Sequence, residues 1–267
     1  MEINRNNIME IVNKSNAHPD KDYGQNFLID PNVSEQIVNA LEVVDGELVL
    51  EIGPGLGSLT HFLADYKNID VCDIDCRMID FLKIIYGKKI NYILDDVRKI
   101  NVSRYDKVIG NLPYNITSEL VTFLLINAKK ATKMVLMCQQ EAFNHFYDVS
   151  GKEYGPISLL LHLLGDIKKE LTLKPGYFYP APKCNSLVFS FIKNEKANYD
   201  DAIGTFKLAK SLFLNRRKTI YNNLKNYLKD SERAKKVLDD LKIEYNKRPE
   251  DISPLLFLDI YKNVKLL

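Results

Sequence analysis

No stretch of the sequence approaches the roughly 18 apolar residues that a membrane-spanning helix needs. The best candidate, Ile157 to Leu164, is broken by His162 and ends at Gly165. Thiols are sparse: Cys72, Cys76, Cys138 and Cys184 are all there are, and no two form a C-x-x-C pair. Histidine is as scarce, with His18, His61, His145 and His162 scattered along the chain. Neither a disulfide framework nor a metal site is expected, and the thiols fit a reducing, cytoplasmic compartment. Residues 1–13 carry Glu2, Arg5 and Glu10 and no long apolar stretch, so they do not read as a secretory signal. With 12 Gly and 10 Pro among 267 residues, and 46% hydrophobic and 27% charged side chains, the composition is globular. Collagen-like, low-complexity and disordered readings are excluded.

The length allows one large domain, or one large and one small, with a core that needs no staples. Charge is unevenly spread. Residues 193–267 hold 17 Lys and Arg against 11 Asp and Glu, whereas residues 1–192 hold 20 against 24. A basic excess confined to the last quarter suggests a polyanion-facing appendage on a slightly acidic body.

From about residue 30 to 193, short Val/Ile/Leu-rich segments alternate with helical patterns. Leu48–Ile52, Ile69–Ile74, Ile90–Leu94, Lys107–Gly110 and Lys133–Gln139 read as buried parallel strands. Val33, Ile37, Val38 and Leu41 share one helical face, as do Met78, Phe81, Leu82 and Ile85. This alternation predicts a doubly wound α/β domain. Ile167–Leu173 and Asn185–Lys193 read as strands with only a Pro-rich segment between them, which predicts antiparallel neighbours at one sheet edge. Beyond the polar linker 194–198 only helical patterns remain. The expected division is an N-terminal extension over 1–22, an α/β domain over 23–193 and a small all-α domain over 199–267.

Glu51-Ile52-Gly53-Pro54-Gly55-Leu56-Gly57 carries the first of these strands into a helix expected near Ser58. Glycines there let the backbone turn sharply and approach a ligand. The spacing is G-x-G-x-G, with an acid before it, and not the dinucleotide G-x-G-x-x-G. It suits S-adenosylmethionine, which has no pyrophosphate to cradle. The second strand ends at Asp73, where a carboxylate can accept ribose hydroxyls; the third ends in Asp95-Asp96, where one can accept the adenine amine. All of these acids fall at strand C-termini, the ligand-binding edge of an open α/β sheet.

Asn111-Leu112-Pro113-Tyr114 follows the fourth strand. An exocyclic base amine is a poor nucleophile because its lone pair is delocalised into the ring. The Asn111 side-chain oxygen and a main-chain carbonyl freed by the Pro113 turn can hold its two hydrogens in a pyramidal arrangement, with Tyr114 stacked on the base. That is catalysis by positioning and electrostatics, and it needs a base out of its stack. Far downstream, Arg216-Arg217-Lys218 follows Asn215, a helix N-cap type, and puts three cations in one turn, as backbone phosphates require.

In these segments the chain resembles the KsgA family of small-subunit ribosomal RNA adenine dimethyltransferases. The resemblance runs over about residues 23–264. It rests on Gly24-Gln25-Asn26-Phe27-Leu28, the glycine turn, Gly110-Asn111-Leu112-Pro113-Tyr114-Asn115-Ile116-Thr117-Ser118, Tyr154-Gly155, Phe178-Tyr179-Pro180-Ala181-Pro182-Lys183 and Asn215-Arg216-Arg217-Lys218-Thr219. It implies a Rossmann-like S-adenosylmethionine-dependent methyltransferase domain, mostly parallel with an antiparallel edge hairpin, and a helical C-terminal domain. It implies dimethylation of N6 on two adjacent adenosines near the 3′ end of 16S rRNA; a monomer is expected. By position it assigns Gln25, Asn26, Leu28, Glu51, Gly53, Gly55, Gly57, Asp73, Asp96 and Asn111 to the cofactor. It assigns Asn111, Leu112, Pro113, Tyr114 and Phe178 to catalysis, with Tyr114 and Phe178 sandwiching the adenine. Lys183, Arg216, Arg217 and Lys218 fall to the RNA.

The chain departs from that pattern in three places. Residues 18–23 are nearly neutral where the family carries a basic run. His145 stands where an Arg is expected after Gln139-Gln140-Glu141, and Asp73 replaces Glu. The alternatives are a resistance-type 23S rRNA adenine methyltransferase and a non-catalytic RNA-binding assembly factor. Gly24 and Leu112 favour the small-subunit reading, because the 23S enzymes commonly carry Ser and Ile there.

Overall fold

The computed structural model describes residues 2–15, 18–19 and 25–266. In chain order the elements are α1 (Ile8–Ser15), β1 (Phe27–Leu28), α2 (Pro31–Asn39), β2 (Val49–Ile52), α3 (Thr60–Leu63), β3 (Ile69–Asp73), α4 (Cys76–Tyr86), β4 (Asn91–Leu94), β5 (Lys107–Asn111), α5 (Thr117–Asn127), β6 (Lys133–Gln139) and α6 (Gln140–Tyr147). They continue with α7 (Pro156–Leu164), β7 (Gly165–Leu173), β8 (Phe178–Tyr179), β9 (Ser186–Lys193), α8 (Tyr199–Phe213), α9 (Ile220–Leu228), α10 (Ser231–Asp240) and α11 (Pro254–Leu266).

Seven strands form one sheet in the order β4-β3-β2-β5-β6-β9-β7. β2, β3, β4, β5 and β6 pair in parallel, and β9 runs antiparallel to β6. This is the mostly parallel sheet with an antiparallel edge that the sequence pattern predicts. β2 is buried along its whole length, as a strand covered on both faces must be, whereas β4 at the edge exposes Asn91 and Leu94. Helix starts follow local chemistry. Asp30 accepts from the Val33 amide ahead of Pro31, and Asp75 accepts from the Arg77 amide, so α2 and α4 begin on carboxylate caps. The faces they bury, Val33, Ile37 and Val38 and then Met78, Phe81 and Leu82, are those the helical spacing selects.

The Pro-rich segment between β7 and β9 is not simply a loop. It contains β8, which pairs antiparallel with β1 as a separate two-stranded ribbon, Leu28 opposite Phe178 and Phe27 opposite Tyr179.

The chain divides into two compact units, residues 1–142 with 168–193 and residues 143–167 with 194–267. This differs from the expected boundaries at two points. Residues 2–15 belong to the first unit, because Ile3, Ile8, Ile11 and Val12 are buried in its core with Phe27 and Leu28. Residues 143–167 belong to the second, because Tyr154 and Leu159 pack into the helical core with Leu212, Phe213 and Phe257. Among the described residues no helix is long and apolar enough to cross a membrane.

Candidate functional site

The C-terminal ends of β2, β3 and β5 open onto one cavity in the first unit. It gathers Gln25, Asn26, Leu28, Glu51, Gly53, Gly55, Asp73, Asn111, Leu112, Pro113 and Tyr114, eleven of the expected site residues. No lysine or arginine lines it among the described residues. Gly24 lies outside them.

The glycine turn after β2 is made by three residues in left-handed backbone, Gly53 (φ 64°), Gly55 (φ 54°) and Gly57 (φ 92°), which side chains rarely tolerate. Gly57 does not reach the cavity. It is needed for packing, since a Cβ there would sit 2.7 Å from Leu82 Cδ2 of α4. Ser58, just past the turn, donates its hydroxyl to the Leu28 carbonyl at 2.6 Å and ties the turn to β1.

Two carboxylates line the cavity. Glu51 is 1% exposed, and one of its oxygens accepts from Thr60 Oγ1 at 2.7 Å. No cation pairs with it among the described residues, so burial pushes its pKa up to about 8. Asp73 accepts from the Asp75 amide at 3.0 Å and the Gly55 amide at 3.4 Å, yet burial still raises it to about 6. Asp75 is different. Burial would raise its pKa, but hydrogen bonds from Arg77 and from Gln25 Nε2 (3.0 Å) outweigh that and hold it below the usual range. It thereby fixes Gln25 at the cavity rim, a link legible in the sequence only as a helix cap.

Also in the cavity, Asn111 Nδ2 donates to the Asn26 carbonyl at 3.0 Å. That bond orients the amide, and Asn111 Oδ1 accepts nothing among the described residues. Pro113 supplies no N–H, and its own carbonyl is taken by Thr117 Oγ1 (2.9 Å) and the Ile116 amide (3.3 Å). The Leu112 amide is satisfied by Met137 O at 3.1 Å. The Leu112 carbonyl has no partner among the described residues, which makes it the acceptor the turn frees. The Tyr114 hydroxyl shares a 2.6 Å hydrogen bond with Ser186 Oγ, and burial raises its pKa. Ser186 is fully buried at the start of β9. Its position after the Pro-Ala-Pro-Lys segment was the only sequence signal for it.

Other expected residues lie elsewhere. Asp96 is outside the cavity, and its carboxylate accepts from Arg98 Nε at 2.9 Å and is paired with Arg98 Nη2. The arginine two residues on has taken the acceptor that the adenine reading required. Asp95 does not line the cavity either. Phe178, expected to stack on the base, is 3% exposed in β8 and belongs to the core cluster of the first unit. Pairing of β8 with β1 turns that ring inward.

In the helical unit the basic turn is only partly available. Helix α8 ends at Phe213, and Thr219, not Asn215, caps α9 by accepting from the Asn222 amide. Arg216 donates to Glu250 Oε2 and to the Gly151 carbonyl, both at 3.1 Å, and lies 5.3 Å from the Phe213 ring centre. It fastens the turn to its own unit. Buried Asn223 adds two bonds from Nδ2, to the Asn215 and Lys218 carbonyls at 3.2 Å each. Arg217, Lys218 and Lys183 are exposed, and their side chains have no partner among the described residues. His145, at the position of the missing arginine, pairs with Glu153 at 3.0 Å.

Residues 4–266 match the family model described as ribosomal RNA adenine dimethylase. The chain belongs to that family. It is 33% identical over 260 residues to the ribosomal RNA small subunit methyltransferase A of Malacoplasma penetrans, covering 95% of this chain and 94% of the relative. A dimethyladenosine transferase structure from Plasmodium falciparum superposes with a TM-score of 0.74 at 25% identity, over 88% of this chain and 95% of that one. The 23S rRNA methyltransferase ErmE superposes with a TM-score of 0.69 at 20% identity, over 90% of this chain and all of that one, a likeness of fold. The fold of this family member is thus that of an rRNA methyltransferase, and the cavity lies at the sheet edge where such a fold binds ligands.

Proposed function

We propose that the chain transfers methyl groups from S-adenosylmethionine to N6 of two adjacent adenosines near the 3′ end of 16S rRNA, acting as a cytoplasmic monomer on the small ribosomal subunit or its precursor. The observation that carries this reading is one cavity lined both by two acids with no paired cation and by two acceptors with no partner among the described residues.

The residues present fit the cofactor. Glu51 is buried and Asp73 half-buried, neither with a paired cation, and no lysine or arginine lines the cavity, among the described residues. That is an environment for a cationic ligand and a poor one for a pyrophosphate. Glu51, Asp73, Gln25, Asn26 and the Gly53–Gly55 backbone would hold it. When bound, S-adenosylmethionine supplies an electrophilic methyl group.

The protein's share is to prepare the amine. Asn111 Oδ1 and the Leu112 carbonyl each accept one N6 hydrogen. Two acceptors below the ring plane favour a pyramidal nitrogen, whose lone pair is then localised and nucleophilic. Their carbonyl dipoles also stabilise the positive charge that develops on nitrogen during transfer. Tyr114, held by Ser186, offers a ring face to a base that has left its stack. In the helical unit, exposed Arg217 and Lys218 contact backbone phosphates, which position the RNA without reading its sequence. The small-subunit assignment is supported by relatives with that name over more than nine-tenths of the chain.

The test is binding followed by transfer. S-adenosylmethionine is expected to bind one per chain in calorimetry, and labelled methyl is expected to enter RNA of unmethylated small subunits. A chain that binds the cofactor and labels only large-subunit RNA overturns the target. A chain that does not bind it overturns the reading.

A further inference from the structure

Residues 2–15 carry none of the motifs above and line no part of the cavity. Their local structure is nevertheless tightly specified. Asn4 Oδ1 accepts from the amides of Asn6 (3.0 Å) and Asn7 (3.2 Å), and Asn7 Oδ1 accepts in return from the Asn4 amide (2.8 Å). These reciprocal bonds close a turn ahead of α1 in the manner of a capping box. From the turn, Arg5 Nη2 donates to the Gly176 carbonyl at 2.8 Å, across 171 residues of sequence. Ile3, Ile8, Ile11 and Val12 are buried in the cluster that also holds Phe27, Leu28, Leu173 and Phe178.

Gly176 lies in the turn that leads into β8. The next residue, Tyr177, accepts from the Ile29 amide at 2.9 Å, and β8 then pairs with β1. β1 is two residues long, and Phe27 and Leu28 form part of the cavity wall. A two-residue ribbon cannot hold itself together in water. Something must offset its ordering cost, and residues 2–15 supply two ties: the Arg5 bond to Gly176, and apolar side chains of α1 that share one hydrophobic cluster with Phe27, Leu28 and Phe178.

We propose that residues 2–15 are a brace that holds the β1–β8 ribbon in place and so sets the affinity of the cavity, although none of them touches its ligand. When the brace loosens, the ribbon frays and only a fraction of molecules presents the complete wall. Apparent affinity then falls in proportion to that fraction. The ligand half of this inference rests on the S-adenosylmethionine reading; the ribbon half does not.

The experiment compares Ile11→Ala with Ile90→Ala, two isoleucines of the same core that are 6% and 4% exposed. Two quantities are read: hydrogen exchange of the Ile29 amide without ligand, and the Kd for S-adenosylmethionine. Ile11→Ala is expected to speed exchange and to raise the Kd, each by about tenfold. Ile90→Ala, with a similar loss in Tm, is expected to leave both near wild type. Arg5→Ala, exposed and safe for folding, shifts both the same way by a smaller factor, and Arg5→Lys recovers them because an ammonium can still donate to the Gly176 carbonyl. Unchanged Ile29 exchange in Ile11→Ala, or equal changes in both isoleucine variants, overturns the brace. If the wild type does not bind S-adenosylmethionine, the ligand reading fails and exchange alone still decides the brace.

Discussion

In the cavity, Asn111 donates one bond to Asn26, and among the described residues its oxygen is unpaired and buried Glu51 has no cation beside it. In the basic turn of the helical unit, Arg216 gives its Nε donor to Glu250 and an Nη2 donor to Gly151 and lies near the Phe213 ring. Both regions are polar turns that the sequence marks as functional. The difference is what each has done with its hydrogen-bonding capacity. A polar group held by one bond with its acceptor unpaired is prepared for a ligand; one tied by two bonds to its own unit serves the scaffold.

The sharpest way to break this contrast is Asn111→Ala. It removes the unpaired acceptor and is expected to cut methyl transfer by about 10²-fold or more, as losing one electrostatic group commonly does. The fold should stand, because Asn26 O loses only one neutral bond. A near-wild-type rate in a single-turnover assay would remove Asn111 from the chemistry.

Next in size is the contrast inside the basic turn. Arg217→Ala with Lys218→Ala should weaken RNA binding and reduce the salt slope by about one for each cation lost, with Tm unchanged. Arg216→Ala should do the reverse, lowering Tm by a few degrees for roughly 1 kcal/mol of lost bonds while its salt slope stays near wild type. Equal slopes in all variants would show that neither exposed cation meets phosphate.

Glu51 supplies a smaller, pH-dependent effect. Its usual pKa of 4.5 is raised to about 8 in the fold. Below the lower value both folded and unfolded chains hold the proton. Between the two values only the folded chain holds it, so stability falls as pH rises through that window. Glu51→Gln cannot ionise, so its Tm advantage should be small at about pH 5 and largest above about pH 8. A Tm difference independent of pH would contradict the uncompensated acid. The smallest expected effect is Ser186→Ala, a few-fold loss of rate. Tyr114→Phe should match it, and the double variant should be no worse, since both remove one bond.

Much of the site was legible because strand ends, glycine turns and Asn-Leu-Pro-Tyr are local signals. Strand positions followed from apolar runs, and the cavity assembled where those strands end. What escaped was decided by partners distant in sequence or by competition nearby. Arg98, two residues past Asp96, captured a carboxylate assigned to the ligand. Phe178 was drawn inward by pairing with Leu28, 150 positions away in sequence. Arg216 was claimed by Glu250, and the Asn215 cap by Thr219. Sequence spacing reveals which groups a turn carries, but not which of them the fold has already satisfied.

The most direct measurement is to incubate the chain with labelled S-adenosylmethionine and unmethylated small subunits and to map the modified nucleosides. The account predicts N6,N6-dimethyladenosine at two adjacent adenosines near the 3′ end of 16S rRNA. Cofactor binding with no label there would contradict it.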